Sequence, residues 1–239
     1  MISIGTCGFS ASQARAMRDL AVVEIQRTFY RPVPVATARR WRERAPERFA
    51  FTVKASQFVT HDATSPTYRR SGLNEPVRPG RYGSFRDTAE VMAGWEATRD
   101  VAEVLGAAAI VFECPPSFTP SPDHVRALYR FFEAITTNAA KVWEPRGPWA
   151  SHLIDKVCAD LDLVHGVDPF AAEPVTAGLA YFRLHGSPPG PRAYSYTYTD
   201  EDLERLLTTC REYDDAFVLF NTVRAHTDAV RTLAMLRDP

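Results

Sequence analysis

The chain has only three lysines, Lys54, Lys141 and Lys156, and three asparagines, Asn74, Asn138 and Asn221. Lysine and arginine together number 28, so arginine carries nearly all the positive charge. Against that background, a lysine or asparagine that persists is a candidate for chemistry that arginine cannot perform. Paired cysteines are missing as well. Cys7, Cys114, Cys158 and Cys210 are scattered without a C-x-x-C spacing, which argues against a zinc cluster or disulfide framework and predicts four free thiols in a reducing compartment. No stretch approaches the roughly 18 apolar residues of a membrane span, and Arg15, Arg18 and Asp19 break the first apolar region. The N-terminus shows no secretory pattern, so the expected setting is the cytoplasm, with no membrane partner. A formal net charge of −1 supplies no general field for nucleic acid. No phosphate-cradling G-x-G-x-x-G or G-x-x-x-x-G-K-[ST] occurs, which excludes the common nucleotide-cofactor loops. A small-molecule substrate is the expected partner, and nucleic acid is the less favoured one.

What the sequence does contain is alternation. With 239 residues and 45% hydrophobic content it can bury a large core, and short β-rich runs alternate with helical patterns from end to end. Strands are expected at 2–5, 21–26, 49–54, 108–113, 141–144, 163–167, 180–184 and 216–220, with helices at 11–20, 35–45, 85–105, 122–137, 149–160, 200–210 and 225–237. Residues 168–178 are too short and Pro-rich for a full helix, so one crossover is expected to be degenerate. Residues 55–84 form a Pro/Gly/Ser-rich stretch that reads as a long loop after the third strand. Eight βα units predict an α/β fold, a single closed (β/α)8 TIM-type barrel of parallel strands spanning 1–239.

In such a barrel the reactive groups gather at the C-terminal ends of the strands, and alternation decides which side chains point inward. In VVEIQ, Val23 and Ile25 suit the helix-facing side, which sends Glu24 into the mouth. In AYFRLHG, Phe182 and Leu184 oppose Tyr181, Arg183 and His185. Glu144 and Arg146 share a side after the fifth strand. Lys54, Glu113, Asp168 and Asn221 stand at four further strand ends, and His61 follows Lys54. Lys54 stands out by rarity and by its apolar strand, where burial would make it a usable base; its plain alternative is a salt bridge to Glu24. His185 is either a general acid/base or a hydrogen-bonded core imidazole. Arg183 and Arg146 offer planar forks for an anion, or else hold Glu144 and Glu24 in place. Cys7 reads as a small buried thiol rather than a nucleophile.

The blocks VVEIQRTFY, WRERAPERFAFTVKASQFVTH and IVFECPPSF, the Glu144-x-Arg146 pair with Trp149, FRLHG followed by tyrosines, and a late FN resemble the YecE-like family, domain of unknown function 72. The similarity runs over nearly the whole chain. It implies a TIM barrel, a loose grouping with sugar isomerases, and a shared mouth that maps onto Glu24, Thr28, Tyr30, Lys54, His61, Glu144, Arg146, Asp168, Arg183, His185 and Asn221. Three positions depart from the family pattern. Cys7-Gly8-Phe9 stands where a serine, glycine and tryptophan are usual, Glu113 replaces the glutamine before the proline pair, and Asn221-Thr222 replaces paired asparagines.

Three functions follow as expectations. The first is an enzyme acting by proton transfer on a small anionic or polyol substrate, such as a sugar phosphate, without a cofactor. Lys54, His185 and Glu24 would then be acid/base groups, and Arg183, Arg146, Glu144, His61, Asp168, Asn221, Tyr30 and Thr28 would bind substrate. The alternative is a metal-dependent phosphodiesterase or nuclease of the endonuclease IV type, using Mg²⁺, Mn²⁺ or Zn²⁺ on Glu24, His61, Glu113, Glu144, Asp168 and His185. Against it stand the absence of H-x-x-E and H-E-x-x-H spacings and the cations that would crowd a metal. The third, a non-enzymatic ligand-binding barrel, needs no ionisable mouth. Every glutamate except Glu113 has a basic partner in view, so an anion beside Arg183 and Lys54 is the expected occupant.

Overall fold

Runs of valine, isoleucine and phenylalanine too short for helices become eight strands in the computed structural model, which describes residues 1–73, 77–187 and 193–237. They are β1 (Ile2–Cys7), β2 (Val22–Ile25), β3 (Ala50–Lys54), β4 (Ala109–Glu113), β5 (Ala140–Glu144), β6 (Val164–Val167), β7 (Leu179–Leu184) and β8 (Asp215–Phe220). Every neighbouring pair is parallel, and β8 returns to β1, closing the barrel. All eight coincide with the expected strands to within two residues at each end.

The helices are α1 (Gln13–Asp19), α2 (Arg27–Tyr30), α3 (Val35–Arg44), α4 (Gln57–Thr60), α5 (Ala89–Leu105), α6 (Pro122–Ala134), α7 (Ser151–Leu161), α8 (Asp200–Cys210) and α9 (Ala225–Arg237). Local chemistry sets their ends. Thr199 and Asp202 form a reciprocal capping box at the start of α8, and Gly106 ends α5 in the left-handed region at φ 58°. Buried residues recur at helical spacing, as in Leu128, Phe131 and Phe132 of α6. No helix follows β6 before β7 begins, so that crossover is degenerate as expected. The long stretch after β3 is more ordered than its composition suggests: Ser56 caps the single turn α4, and a 3-10 turn spans Pro66–Arg70.

Alternation along each strand divides the interior. Val23, Ile25, Phe51, Val53, Ile110, Phe112, Phe182 and Leu184 face the helices in one apolar layer, each fully buried side chain contributing about 1.5–3 kcal/mol. Val22, Ala109, Val111, Val142, Tyr181 and Leu219 fill the inside of the barrel. One step further along the same inward rows the chemistry changes from apolar to ionic, and that change builds the mouth. The four cysteines are free, and no described helix is long and apolar enough to cross a membrane.

Candidate active site at the barrel mouth

Arg183 is the centre of the mouth because it lies on the inward row of β7, two residues beyond Tyr181. Its guanidinium is fully buried and makes a bidentate pair with Glu24: Nε to Oε2 at 3.0 Å and Nη2 to Oε1 at 3.0 Å. Nη1 donates to both Glu113 and Glu144. Glu24 also accepts from the Tyr181 hydroxyl at 2.9 Å and from Gln26 Nε2 at 2.7 Å, which leaves it saturated with donors. Lys54 Nζ lies 3.0 Å from Glu113 Oε2 and 3.9 Å over the Phe29 ring.

These contacts decide the protonation states. Burial alone would raise the Glu113 carboxyl, but Lys54, Arg183 and Arg146 hold it well below the ordinary carboxylate range. Burial also opposes ionisation of Glu144, and Arg146 and Arg183 bring it below its ordinary value. Burial, with Glu24 close by, pushes the Cys7 thiol far up, so it is held as an inert thiol beneath the network. The imidazole of His61 is lowered to about 4, chiefly by burial.

Arg146 sits on the loop after β5, and its Nη2 stands among three acceptors. It lies 2.6 Å from Glu144 Oε1, 2.7 Å from His185 Nε2 and 3.5 Å from Glu113 Oε2. Ligand atoms of those three residues fall within 4.8 Å of one another, a spacing that could hold a metal ion. A guanidinium can only donate, so Nε2 of His185 accepts and the ring proton is on Nδ1. Nδ1 is 3.7 Å from Asp168 Oδ2, which also accepts from the His185 backbone N–H at 2.7 Å. Unlike Arg183, the Arg146 side chain is 31% exposed.

A cavity of about 400 Å³ opens beside this cluster, lined in part by Trp149, His165, Asp168, His185 and Tyr194. Gly186 shapes it. Its φ is +100°, and a Cβ there would meet the Ala193 carbonyl oxygen at 1.8 Å, so glycine lets the segment from Ala193 close down on the end of β7.

The family model for a protein of unknown function, DUF72, matches residues 11–239. The chain belongs to the DUF72 family. A DUF72 family protein of Enterococcus faecalis V583 shares 17% identity and a TM-score of 0.75, over 100% of this chain and 98% of that one. Endonuclease IV from Thermus thermophilus superposes with a TM-score of 0.53 and 15% identity, over 98% and 96%. A xylose isomerase domain containing protein of Salmonella typhimurium LT2 gives 0.58 and 14%, over 96% and 93%. At these identities the likeness is one of fold. No curated protein matches the chain.

Of the mouth residues drawn from the DUF72 resemblance, Glu24, Lys54, Glu144, Arg146, Asp168, Arg183 and His185 come together. Four others stand apart from the ionic cluster. Thr28 is buried and donates to the carbonyls of Ile25 at 2.9 Å and Lys54 at 2.7 Å, joining the ends of β2 and β3. Tyr30 lies under the Arg70 guanidinium at 3.6 Å. His61 Nδ1 meets the Thr60 hydroxyl at 2.8 Å, and its ring packs against Phe29. Asn221 donates its backbone N–H to Leu184 at the end of β8.

Two expectations need correction. Lys54 pairs with Glu113 and not with Glu24. In the strand register Lys54 lies opposite Val111, one inward step below Glu113, while Glu24 is already filled by Arg183, Tyr181 and Gln26. Glu113, expected to lack a basic partner, contacts Lys54, Arg146 and Arg183. Sequence reasoning missed Tyr181 and Thr52 as site residues, although the Tyr181 hydroxyl donates to Glu24 and accepts from the Thr52 hydroxyl. Their position on the inward rows was the available signal.

Proposed function

We propose that this DUF72 chain is a metal-dependent phosphoester hydrolase whose catalytic centre is the Glu113–Glu144–His185 triangle, with a divalent cation exchanging for the Arg146 guanidinium. The observation that carries this reading is the position of Arg146 Nη2, a cationic atom within 3.5 Å of one ligand atom from each of the three. The fit is chemical as well as spatial. Two carboxylate oxygens and one imidazole nitrogen suit Mn²⁺, Zn²⁺ or Mg²⁺, and Asp168 behind His185 is the kind of carboxylate that orients a ligating imidazole.

Charge supports the same reading. Glu24, Glu113 and Glu144 face Lys54, Arg146 and Arg183, Asp168 adds a fourth carboxylate behind His185, and His61, lowered to about 4, is neutral at pH 7. One negative charge is left over, which favours a cation. When bound, a divalent ion would polarise a phosphoryl oxygen and acidify a water molecule. Arg183 reaches both Glu113 and Glu144 and Lys54 reaches Glu113, which fixes the direction of the two carboxylates. The partly exposed Arg146, once displaced, remains able to fork onto a phosphate at the rim of the cavity.

Metal-free proton transfer is a second reading, supported by the His185–Asp168 pair, with His185 exchanging the proton and Arg146 orienting an anionic substrate. Glu24 is then a positioning residue, because every one of its contacts is a donor directed at its carboxylate.

Calorimetric titration of Mn²⁺ into the protein and into Arg146→Ala separates the readings, with bis(p-nitrophenyl) phosphate hydrolysis followed in parallel. We expect one binding site, tightened about tenfold in Arg146→Ala, equivalent to about 1.4 kcal/mol, and abolished in Glu144→Gln. Absence of Mn²⁺ binding by both proteins would refute the metal reading, and turnover of a sugar phosphate in the presence of chelator would establish the other.

A further inference from the structure

We propose that a cleft beside the mouth, over the C-terminal ends of β1 to β3, is a separate binding site for a nucleoside monophosphate. The cleft has a volume of about 690 Å³, and its lining includes Arg27, Arg31 and Arg70 together with Phe9, Tyr30 and Trp41. Among the described residues no carboxylate lines it. None of the three arginines has an ion-pair partner among the described residues, in contrast to Arg183 and Arg146 a few residues from the same rim.

The placement of the arginines is not that of scattered surface charge. Arg27 and Arg31 flank α2, one at its start and one at its extended C-terminal cap, and both line the cleft. Arg70 approaches from the 3-10 turn after β3, its guanidinium 3.6 Å over the Tyr30 ring, which holds it at the cleft. Three like charges facing one cavity repel one another, and an anion between them relieves that repulsion. Guanidinium forks meet phosphate oxygens with charge-assisted hydrogen bonds.

The aromatic walls define the remainder of the ligand. Phe9 and Trp41 stand edge to face at 5.9 Å, and Tyr30, under the Arg70 guanidinium, also lines the cleft. Rings beside a basic lining are the combination that takes a base together with its phosphate. Gln26, also in the lining, donates Nε2 to Glu24 at 2.7 Å, so the cleft ends where the ionic network begins. The two sites are therefore adjacent and opposite in sign.

The test is calorimetric titration of adenosine monophosphate, adenosine and inorganic phosphate into the full chain and into two variants. The monophosphate should bind saturably, and adenosine and inorganic phosphate should each bind at least about tenfold more weakly, a difference of about 1.4 kcal/mol. Binding should weaken with added salt. The double variant Arg31→Ala/Arg70→Ala should lose at least about tenfold in affinity with its urea midpoint unchanged, both side chains being exposed. Glu144→Gln, which disables the triangle, should bind the monophosphate as the parent does, so failure at the mouth and failure at the cleft read differently. No saturable binding of the monophosphate, an unchanged affinity in the arginine double variant, or loss of binding in Glu144→Gln would each overturn the proposal.

Discussion

The mouth and the adjacent cleft both present guanidinium groups at the C-terminal rim of one barrel, yet they are opposite kinds of surface. At the mouth each cation is matched. Arg183 touches three carboxylates, Lys54 touches Glu113, and Arg146 spans Glu113 and Glu144. In the cleft Arg27, Arg31 and Arg70 face a cavity with no acid among the described residues that line it. Except for Arg146, on the loop after β5, the difference lies in which elements carry the residues. Strand positions are buried, so a charge there must bring partners with it or cost several kcal/mol. Helix ends and loop turns are washed by solvent, and an unmatched charge is tolerated until a ligand arrives. The matched set fixes geometry, and the unmatched set is left free to recognise.

The largest expected effect comes from breaking the matched set. Arg183→Met leaves Glu24, Glu113 and Glu144 facing one another without their shared partner and should destabilise the chain by about 3–5 kcal/mol in urea unfolding at pH 7. Adding Glu24→Gln to the same chain should restore part of that loss, as expected of residues in contact. A cost below about 1 kcal/mol would mean that the network is not what holds the mouth together.

Next in size is a pH effect at the boundary between the two regions. His61 packs on Phe29 and feels Glu113 and Lys54 of the mouth. Its folded value, about 4, lies below the unfolded 6.5, so the unfolded chain takes up the proton first. Its contribution is therefore complete above pH 6.5 and is lost as pH falls towards 4, by roughly 3 kcal/mol. His165, lowered by burial to about 4 as well, adds a loss of the same sign over the same window. Glu113 and Glu144 act later. Their folded values are depressed, so their contribution persists above the ordinary carboxylate range and declines only as pH drops below it. Stability measured at about pH 6.5 and about pH 4.5 should fall markedly in the parent and distinctly less in His61→Gln. Equal slopes in the two proteins would assign the acid sensitivity elsewhere.

The smallest effect belongs to the cleft. Arg31→Ala removes an exposed charge that has no ion-pair partner among the described residues, and should change stability by no more than about 0.5 kcal/mol. A larger loss on thermal or urea unfolding would show that Arg31 has a structural partner, and the contrast between the two regions would weaken accordingly.

The alternation that makes the barrel was plain in the sequence. Val23 and Ile25 against Glu24, and Phe182 and Leu184 against Arg183, separate the helix-facing row from the inward row without reference to coordinates. The pairing of charges was not plain. Which carboxylate Lys54 meets depends on the stagger of β3 against β4, and a single strand carries no record of its neighbour's register. The place of Arg146 depends on the path of a loop, which has no periodicity to read. The cleft was hidden for a different reason. In a chain so rich in arginine, Arg27, Arg31 and Arg70 have no local feature that separates them from ordinary surface residues, and only the fold brings them to one cavity. Glu113 shows the limit most clearly, since its strand-end position was legible while its three partners were not.

The missing helix between β6 and β7 has a consequence for how this barrel can change over generations. Where a helix covers a strand pair, any new residue must satisfy the packing of both. Here the flank is a short loop, with Ala171 and Ala172 folded back onto the Asp168 carbonyl, and the two alanines and Glu173 also form part of the cavity wall. Insertions or swaps in such a loop cost the barrel little, while each one redraws the outline of the pocket beside His185. That flank is the stretch of chain where a new substrate preference could be written without refolding the protein.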